Sequence, residues 1–248
     1  MKRRETNLPL AALPLREDLL QVRAPAINFY VLKDSTGLYV LDTGFIGGRF
    51  LLQRALRHWG EEYSRIRGII ITHGHLDHIL NVSRIVKDTG AWVAAPRLDA
   101  AHYAGRPKYP GLARTTGILE SIGRPVLGFH AFEPDRLLDH DDVIDVWHGL
   151  RAVHLPGHTP GHTGYYCERL RWMFTGDLYA SYHRGRMPPD IFNSGPGEIP
   201  ASIGKALSYD LVGVVPNHGD RSSPEAHLHK LKALRDGLRA RQPAIAGI

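Results

Sequence analysis

The stretch Ile69-Ile70-Ile71-Thr72-His73-Gly74-His75-Leu76-Asp77-His78 constrains the chain more than any other, because a β-branched apolar run ends abruptly in three imidazoles and a carboxylate. Such a run reads as a buried strand and the residues from Leu76 onward read as a helix, so the cluster is expected on a strand-to-helix turn. In an extended turn, residues two apart project to the same side. His73 and His75 are therefore placed to grip one metal, with Gly74 letting the backbone pass close beneath it. Asp77 and His78, entering the first helical turn, point to a second metal nearby. Imidazole nitrogen and carboxylate oxygen suit zinc, and also iron or manganese.

The rest of the chain supplies the frame and the missing donors. Residues 26–32 and 38–41 are β-prone runs joined by a polar turn ending in Gly37, which predicts a hairpin. Its second strand runs into Asp42-Thr43-Gly44, where a carboxylate can either cap the turn or orient a ligand histidine from behind. Leu52, Ala55, Leu56 and Trp59 fall on one helical face, with Gly60 as a stop. A strand over 67–71, a helix over 76–89 closed by Gly90 and a strand over 91–95 follow. Strands alternating with helices predict a layered α/β fold. Residues 96–143 are punctuated by proline and read as a lid or substrate wall with a helix over 112–122, in which Tyr103, Lys108 and Tyr109 are placed to meet a substrate.

A second set of donors comes later. A strand over 150–155 opens into Pro156-Gly157-His158-Thr159-Pro160-Gly161-His162, a turn whose prolines and glycines fix its path. His158 is the expected third ligand of the first metal, His162 sits behind the ligands or in the core, and His154 is structural. A hairpin over 164–167 and 171–174 ends at Thr175-Gly176-Asp177, which places Asp177 as a bridging carboxylate. A helix over 200–207 and a strand over 211–215 lead to Asn217-His218-Gly219. Ser222 or Ser223, with Pro224 and Glu225, starts a closing helix with Leu228, Leu231, Leu234 and Leu238 on one side, and its His227 and His229 read as surface residues.

Taken in order, Asp42-Thr43-Gly44, Thr72-His73-Gly74-His75-Leu76-Asp77-His78, His158, Asp177 and His218 resemble the five ordered motifs of the metallo-β-lactamase-fold hydrolases. The resemblance spans about residues 26–220. It implies an α/β fold of four layers, an αββα sandwich. It implies also that His73, His75 and His158 hold one metal, that Asp77, His78 and His218 hold the other, and that Asp177 bridges them. The set is similar to that of glyoxalase II and of the acyl-homoserine lactonases, whereas true β-lactamases of the superfamily generally lack the bridging aspartate. The lactonases carry a catalytic tyrosine three residues after that aspartate. Here the position is Ala180, flanked by Tyr179 and Tyr182, which with Lys108 are the candidate substrate contacts.

The implied activity is hydrolysis of an ester, thioester or lactone by a metal-bridging hydroxide, with two divalent ions, zinc or else iron or manganese, as cofactors and Asp77 as the proton acceptor. Two-metal sites also cleave phosphodiesters, a persulfide dioxygenase with one iron resembles the same motifs, and a non-catalytic metal-binding scaffold is a further alternative. Composition bears on partners. A formal charge of +6 without a basic, aromatic-interleaved stripe favours a small, anionic substrate over nucleic acid. The single cysteine, Cys167, fits a reducing compartment. No apolar run reaches the roughly 18 residues of a membrane span. The expectation is a single domain over 1–248, cytoplasmic and away from membranes; the sequence does not specify an oligomeric state.

Overall fold

The computed structural model describes residues 12–24 and 27–241. The basic start at 1–5 and Ala26, the first residue expected in the hairpin, lie outside the described residues. The chain divides into two compact units: one holds the described residues up to Lys108 together with Gly117–Leu138, the other Tyr109–Thr116 and the described residues from Asp139 on.

The first unit is built on a seven-stranded sheet. Strands β1 (Ala12–Arg16), β2 (Leu19–Ala24), β3 (Ile27–Lys33) and β4 (Leu38–Leu41) form an antiparallel meander. Helix α1 (Gly48–Trp59) then crosses over to β5 (Ile66–Ile70), which runs parallel to β4. Helices α2 (Leu76–Ile79) and α3 (Val82–Thr89) lead to β6 (Trp92–Pro96), parallel to β5. Helices α4 (Ala100–Tyr103) and α5 (Arg114–Val126) lead to β7 (Arg136–Leu138), which completes the sheet in chain order. Parallel neighbours require such crossovers, whereas the antiparallel ones need only turns. The apolar face of α1, through Leu52, Ala55 and Leu56, and that of α3, through Val82 and Ile85, share a core with Phe29, Val31, Val40 and Ile69 of the sheet and with Ile71 just past it. Each fully buried aliphatic or phenyl side chain contributes about 1.5–3 kcal/mol.

The helix expected over 76–89 is two helices. The break falls at Leu80 and Asn81, because the Asn81 side-chain amide donates to the carbonyls of Thr43, Gly44 and Phe45 at 2.9–3.0 Å, tying the helix junction to the loop after β4. The 96–143 segment contributes two helices and a strand to the first unit's sheet and periphery. Within it Tyr103 is a core residue, stacked on Phe132 with its hydroxyl donated to the Pro96 carbonyl, not a substrate contact.

The second unit carries a five-stranded sheet. Strands β8 (Val143–Ile144), β9 (Leu150–His154), β10 (Thr163–Cys167) and β11 (Trp172–Gly176) pair antiparallel. A two-stranded ribbon, β12 (Ala180–Ser181) with β13 (Gly185–Arg186), follows, and then α6 (Ile199–Ala206) crosses to β14 (Gly213–Pro216), parallel to β11. Helix α7 (Pro224–Arg241) closes the unit, its first turn capped by the Ser223 hydroxyl, which accepts the Ala226 amide at 3.3 Å. Ile199 and Ile203 of α6 and Leu228 and Leu231 of α7 share a core with Val153, Met173 and Val214. Among the described residues no helix is long and apolar enough to cross a membrane.

Candidate metal centre

In the first unit the donors follow directly from β5. The strand ends at Ile70, residues 71–75 form the turn, and α2 begins at Leu76, so the cluster stands on a strand-to-helix turn. His73, His75 and His78 are buried and Asp77 is half-buried. The rings of His73 and His78 lie 3.9 Å apart between centroids and those of His73 and His75 4.9 Å. Asp77 Oδ2 is 3.7 Å from His78 Nε2.

Asp42 organises this half. Its backbone takes a positive φ of 60°, a conformation more available to Asp than to most residues, and its side chain is fully buried. Oδ1 accepts the Thr72 amide and Oδ2 the Thr72 hydroxyl, both at 2.8 Å, and His78 Nδ1 donates to Oδ2 at 3.0 Å. With its proton given to Asp42, the Thr72 hydroxyl accepts from His73 Nδ1 at 3.0 Å. One carboxylate thus fixes the tautomer of both imidazoles, directly for His78 and through Thr72 for His73, so that each keeps Nε2 unprotonated as a candidate donor atom.

The backbone on either side of His75 is held by two more buried carboxylates. The Gly74 amide donates to Asp99 Oδ2 at 2.8 Å and the Leu76 amide to Glu120 Oε1 at 2.9 Å. Glu120 Oε2 accepts Arg124 Nη2 at 2.7 Å, and Arg124 Nη1 donates to the His102 carbonyl at 3.0 Å. Gly74 has a steric cause: a Cβ there would sit 2.3 Å from the His102 Cβ. Burial keeps the His102 imidazole below its ordinary pKa, with the nearby Asp99 and Glu120 carboxylates opposing that shift.

In the second unit the turn after β9 carries His158, whose Nδ1 donates to Asn193 Oδ1 at 2.9 Å. Asn193 is itself fixed by donating to the Pro188 carbonyl at 2.8 Å. Gly157 takes a φ of 127°, and a Cβ there would meet Ile199 at 2.6 Å. Backbone bonds from Ser194 to the His158 carbonyl and from Gly195 to the Gly157 carbonyl, at 3.0 and 2.8 Å, brace the turn. Asp177 follows β11, and its Oδ2 lies 3.3 Å from His158 Nε2 and 2.9 Å from His218 Nε2. One carboxylate oxygen thus lies within reach of two imidazoles from separate loops.

His162 stands behind that carboxylate. Its Nδ1 donates to the Leu155 carbonyl at 2.8 Å and its Nε2 accepts the Asp177 amide at 2.9 Å, so it positions Asp177. His154 ties its own turn by bonding the Pro160 carbonyl at 2.8 Å. Tyr179 is a correction to the substrate-contact expectation. It is fully buried in the second unit's core with its hydroxyl donated to the His227 carbonyl at 2.9 Å, and burial raises its pKa. Tyr182 is 45% exposed, Lys108 is exposed and Tyr109 is buried. His227, expected on the surface, is buried, whereas His229 is exposed.

The donors make two His/Asp clusters: His73, His75, Asp77 and His78 in one unit, His158, Asp177 and His218 in the other. Five imidazoles and two carboxylates without a thiolate are a donor set that fits zinc, iron or manganese. Thr72, Asp99, Glu120 and Asn193 received no role from sequence reasoning, since each meets its partner through the fold alone.

Two mixed α/β sheets with flanking helices are the metallo-beta-lactamase fold. A metallo-beta-lactamase family protein from Thermus thermophilus shares it with a TM-score of 0.71 at 18% identity, over 92% of this chain and 81% of that one. The chain belongs to the Metallo-beta-lactamase superfamily, whose family model matches residues 22–240. Relatives include the probable metallo-hydrolase YybB of Bacillus subtilis (strain 168), 26% identical over 167 residues that make up 66% of each chain. The hydroxyacylglutathione hydrolase GloC of Haemophilus influenzae is 27% identical over 129 residues, 51% of this chain and 56% of GloC. The chain thus spans less than two thirds of the length of these curated relatives.

Proposed function

We propose that this chain is a dinuclear-metal-dependent hydrolase of ester, thioester or lactone bonds, acting on a small anionic substrate. The observation that carries the reading is that each unit gathers its own imidazole and carboxylate donors just past strand ends: His73, His75, Asp77 and His78 in one, and in the other Asp177, whose Oδ2 is within 3.3 Å of His158 Nε2 and 2.9 Å of His218 Nε2. The relatives named as metallo-hydrolase and hydroxyacylglutathione hydrolase support it. When bound, two divalent ions supply an acidified shared water and a Lewis acid for a carbonyl oxygen.

The protein's own residues do the rest. Asp42 and Asn193 hold imidazole tautomers so that Nε2 is the donor atom. His162 holds Asp177 at its amide. Asp77, half-buried in the first turn of α2, has the exposure to accept a proton from the attacking water and pass it to the leaving group. The net charge of +6 draws an anion towards the protein at long range.

The test is turnover by zinc- or manganese-reconstituted protein on a panel holding a hydroxyacyl thioester, a lactone, a carboxyl ester and a phosphodiester. The reading expects hydrolysis of at least one carbonyl substrate, falling roughly 10²–10⁴-fold in Asp77→Asn at unchanged metal content. Full turnover by metal-replete Asp77→Asn removes Asp77 from the mechanism. Turnover of the phosphodiester alone refutes the carbonyl class.

A further inference from the structure

His227 lies on α7, nine residues past His218, and it is only 5% exposed although nothing in the proposed chemistry uses it. Its Nδ1 is 2.6 Å from the hydroxyl of Ser181, which is fully buried. Ser181 in turn grips the His218 loop from both sides. Its amide donates to the His218 carbonyl at 2.7 Å, and its own carbonyl accepts the Asp220 amide at 2.9 Å. This makes an isolated parallel bridge between Ser181 and Gly219.

The stretch from Gly176 to Ser181 therefore runs beside the stretch from Pro216 to Asp220, tied at one end by the Asn217 amide to the Gly176 carbonyl at 3.2 Å and at the other by Ser181. Asp177 belongs to the first stretch and His218 to the second, and this pairing brings Asp177 Oδ2 to 2.9 Å from His218 Nε2. The loop has no regular strand beyond Pro216 to hold it, so its position depends on these ties. The imidazole of His227 presses directly on the loop. A Cβ on Gly219 would lie 3.2 Å from His227 Cε1 and 3.2 Å from the Ser181 carbonyl oxygen.

Two further links fasten α7 to the same place. Tyr179 donates its hydroxyl to the His227 carbonyl at 2.9 Å. Lys230, one turn on, donates to Asp220 Oδ2 at 2.7 Å and Ser222 Oγ at 2.9 Å, and also to the Tyr182 carbonyl. Burying a polar imidazole in a helix that could have used leucine is costly unless its hydrogen bond does something, and here the bond ends on the residue that sets the ligand loop.

We infer that His227 is a positioning residue for the metal centre: through Ser181 it holds the His218 loop in register with Asp177, and so governs occupancy of the metal position that these two residues serve. The inference rests on the two-metal reading above. It assigns the closing helix a part in metal affinity beyond covering the core. It also predicts an asymmetry, since the His158 turn is braced by a different set of residues, Asn193, Ser194 and Gly195, which lie outside that helix.

The experiment is a stepwise cobalt(II) titration of metal-free protein, read by visible absorption and by competition with a chromophoric chelator. It is run on the parent chain, His227→Leu, His227→Asn and Ser181→Ala, with the urea midpoint of each metal-free protein as a control for folding. Asn places a hydrogen-bonding atom near the position of Nδ1. The parent is expected to take two equivalents. His227→Leu and Ser181→Ala should weaken one of the two roughly 10- to 100-fold and alter its absorption band, leaving the other in place. His227→Asn should restore it. Two undisturbed equivalents in His227→Leu, or equal weakening of both, overturns the inference while the two-metal reading stands. Fewer than two equivalents in the parent overturns that reading and the inference with it.

Discussion

Replacing Glu120 by alanine tests whether the buried carboxylates around the metal turn hold it. Glu120 is 7% exposed and accepts two charge-assisted or backbone bonds, one from Arg124 Nη2 at 2.7 Å and one from the Leu76 amide at 2.9 Å. Removing it leaves the guanidinium of Arg124, itself 5% exposed, without a carboxylate partner among the described residues, against the His102 carbonyl and the ring of Phe129, 4.5 Å from its centroid. Breaking a buried pair on one side costs about 3–5 kcal/mol, because the remaining charge stays desolvated. For a chain of this size that is a fall in melting temperature of about 6–20 °C. Glu120→Leu with Arg124→Leu removes both charges and should recover about 2 kcal/mol of the loss, leaving about 1–3 kcal/mol for the Leu76 amide without its acceptor. The assay is urea unfolding of the metal-free proteins with thermal melts alongside. A loss under about 1 kcal/mol in Glu120→Ala, or a double variant no more stable than the single one, refutes the reasoning.

Asp42→Asn keeps the shape but removes the charge that orients His78 and Thr72, and should lower metal affinity roughly 10- to 100-fold by chelator competition, with the fold intact by circular dichroism. Gly74→Ala drives a Cβ to 2.3 Å from the His102 Cβ and should cost about 1–3 kcal/mol in urea unfolding. For His102, burial holds the folded pKa below the ordinary 6.5, so below pH 6.5 the unfolded chain binds the extra proton first. Its effect on stability is absent above pH 6.5 and becomes a progressive loss as pH falls from there towards the folded pKa. The difference in unfolding free energy between metal-free parent and His102→Asn should therefore change across that window and be flat above it.

The candidate ligands are legible because they are close in sequence or sit at conspicuous turns. His73, His75, Asp77 and His78 declare themselves by spacing after a β-branched run, and His158, Asp177 and His218 each follow the end of a strand. Their supports are not, because each acts over a long separation: Gly74 with Asp99 across 25 residues, His158 with Asn193 across 35, Leu76 with Glu120 across 44 and Ser181 with His227 across 46. Local pattern carries no signal for such pairs. Asp42 is the exception, read as either a turn residue or an orienting carboxylate; it serves as the latter while its positive φ also makes it a turn residue. Among the elements, the hairpin of β1 and β2 carries a weak sequence signal, because Pro14 and an irregular register between Pro14 and Arg16 interrupt the edge strand's alternation. The single helix expected over 76–89 failed at Asn81, whose side chain is used up in the loop after β4 rather than in a continuous helix.

The most direct test of the two-metal centre is the metal retained per chain after saturation with zinc or manganese and removal of loosely held ions, measured by elemental analysis. The account predicts two equivalents per chain. A single equivalent under saturating conditions, and above all one tightly held iron with no second ion taken up, would contradict it.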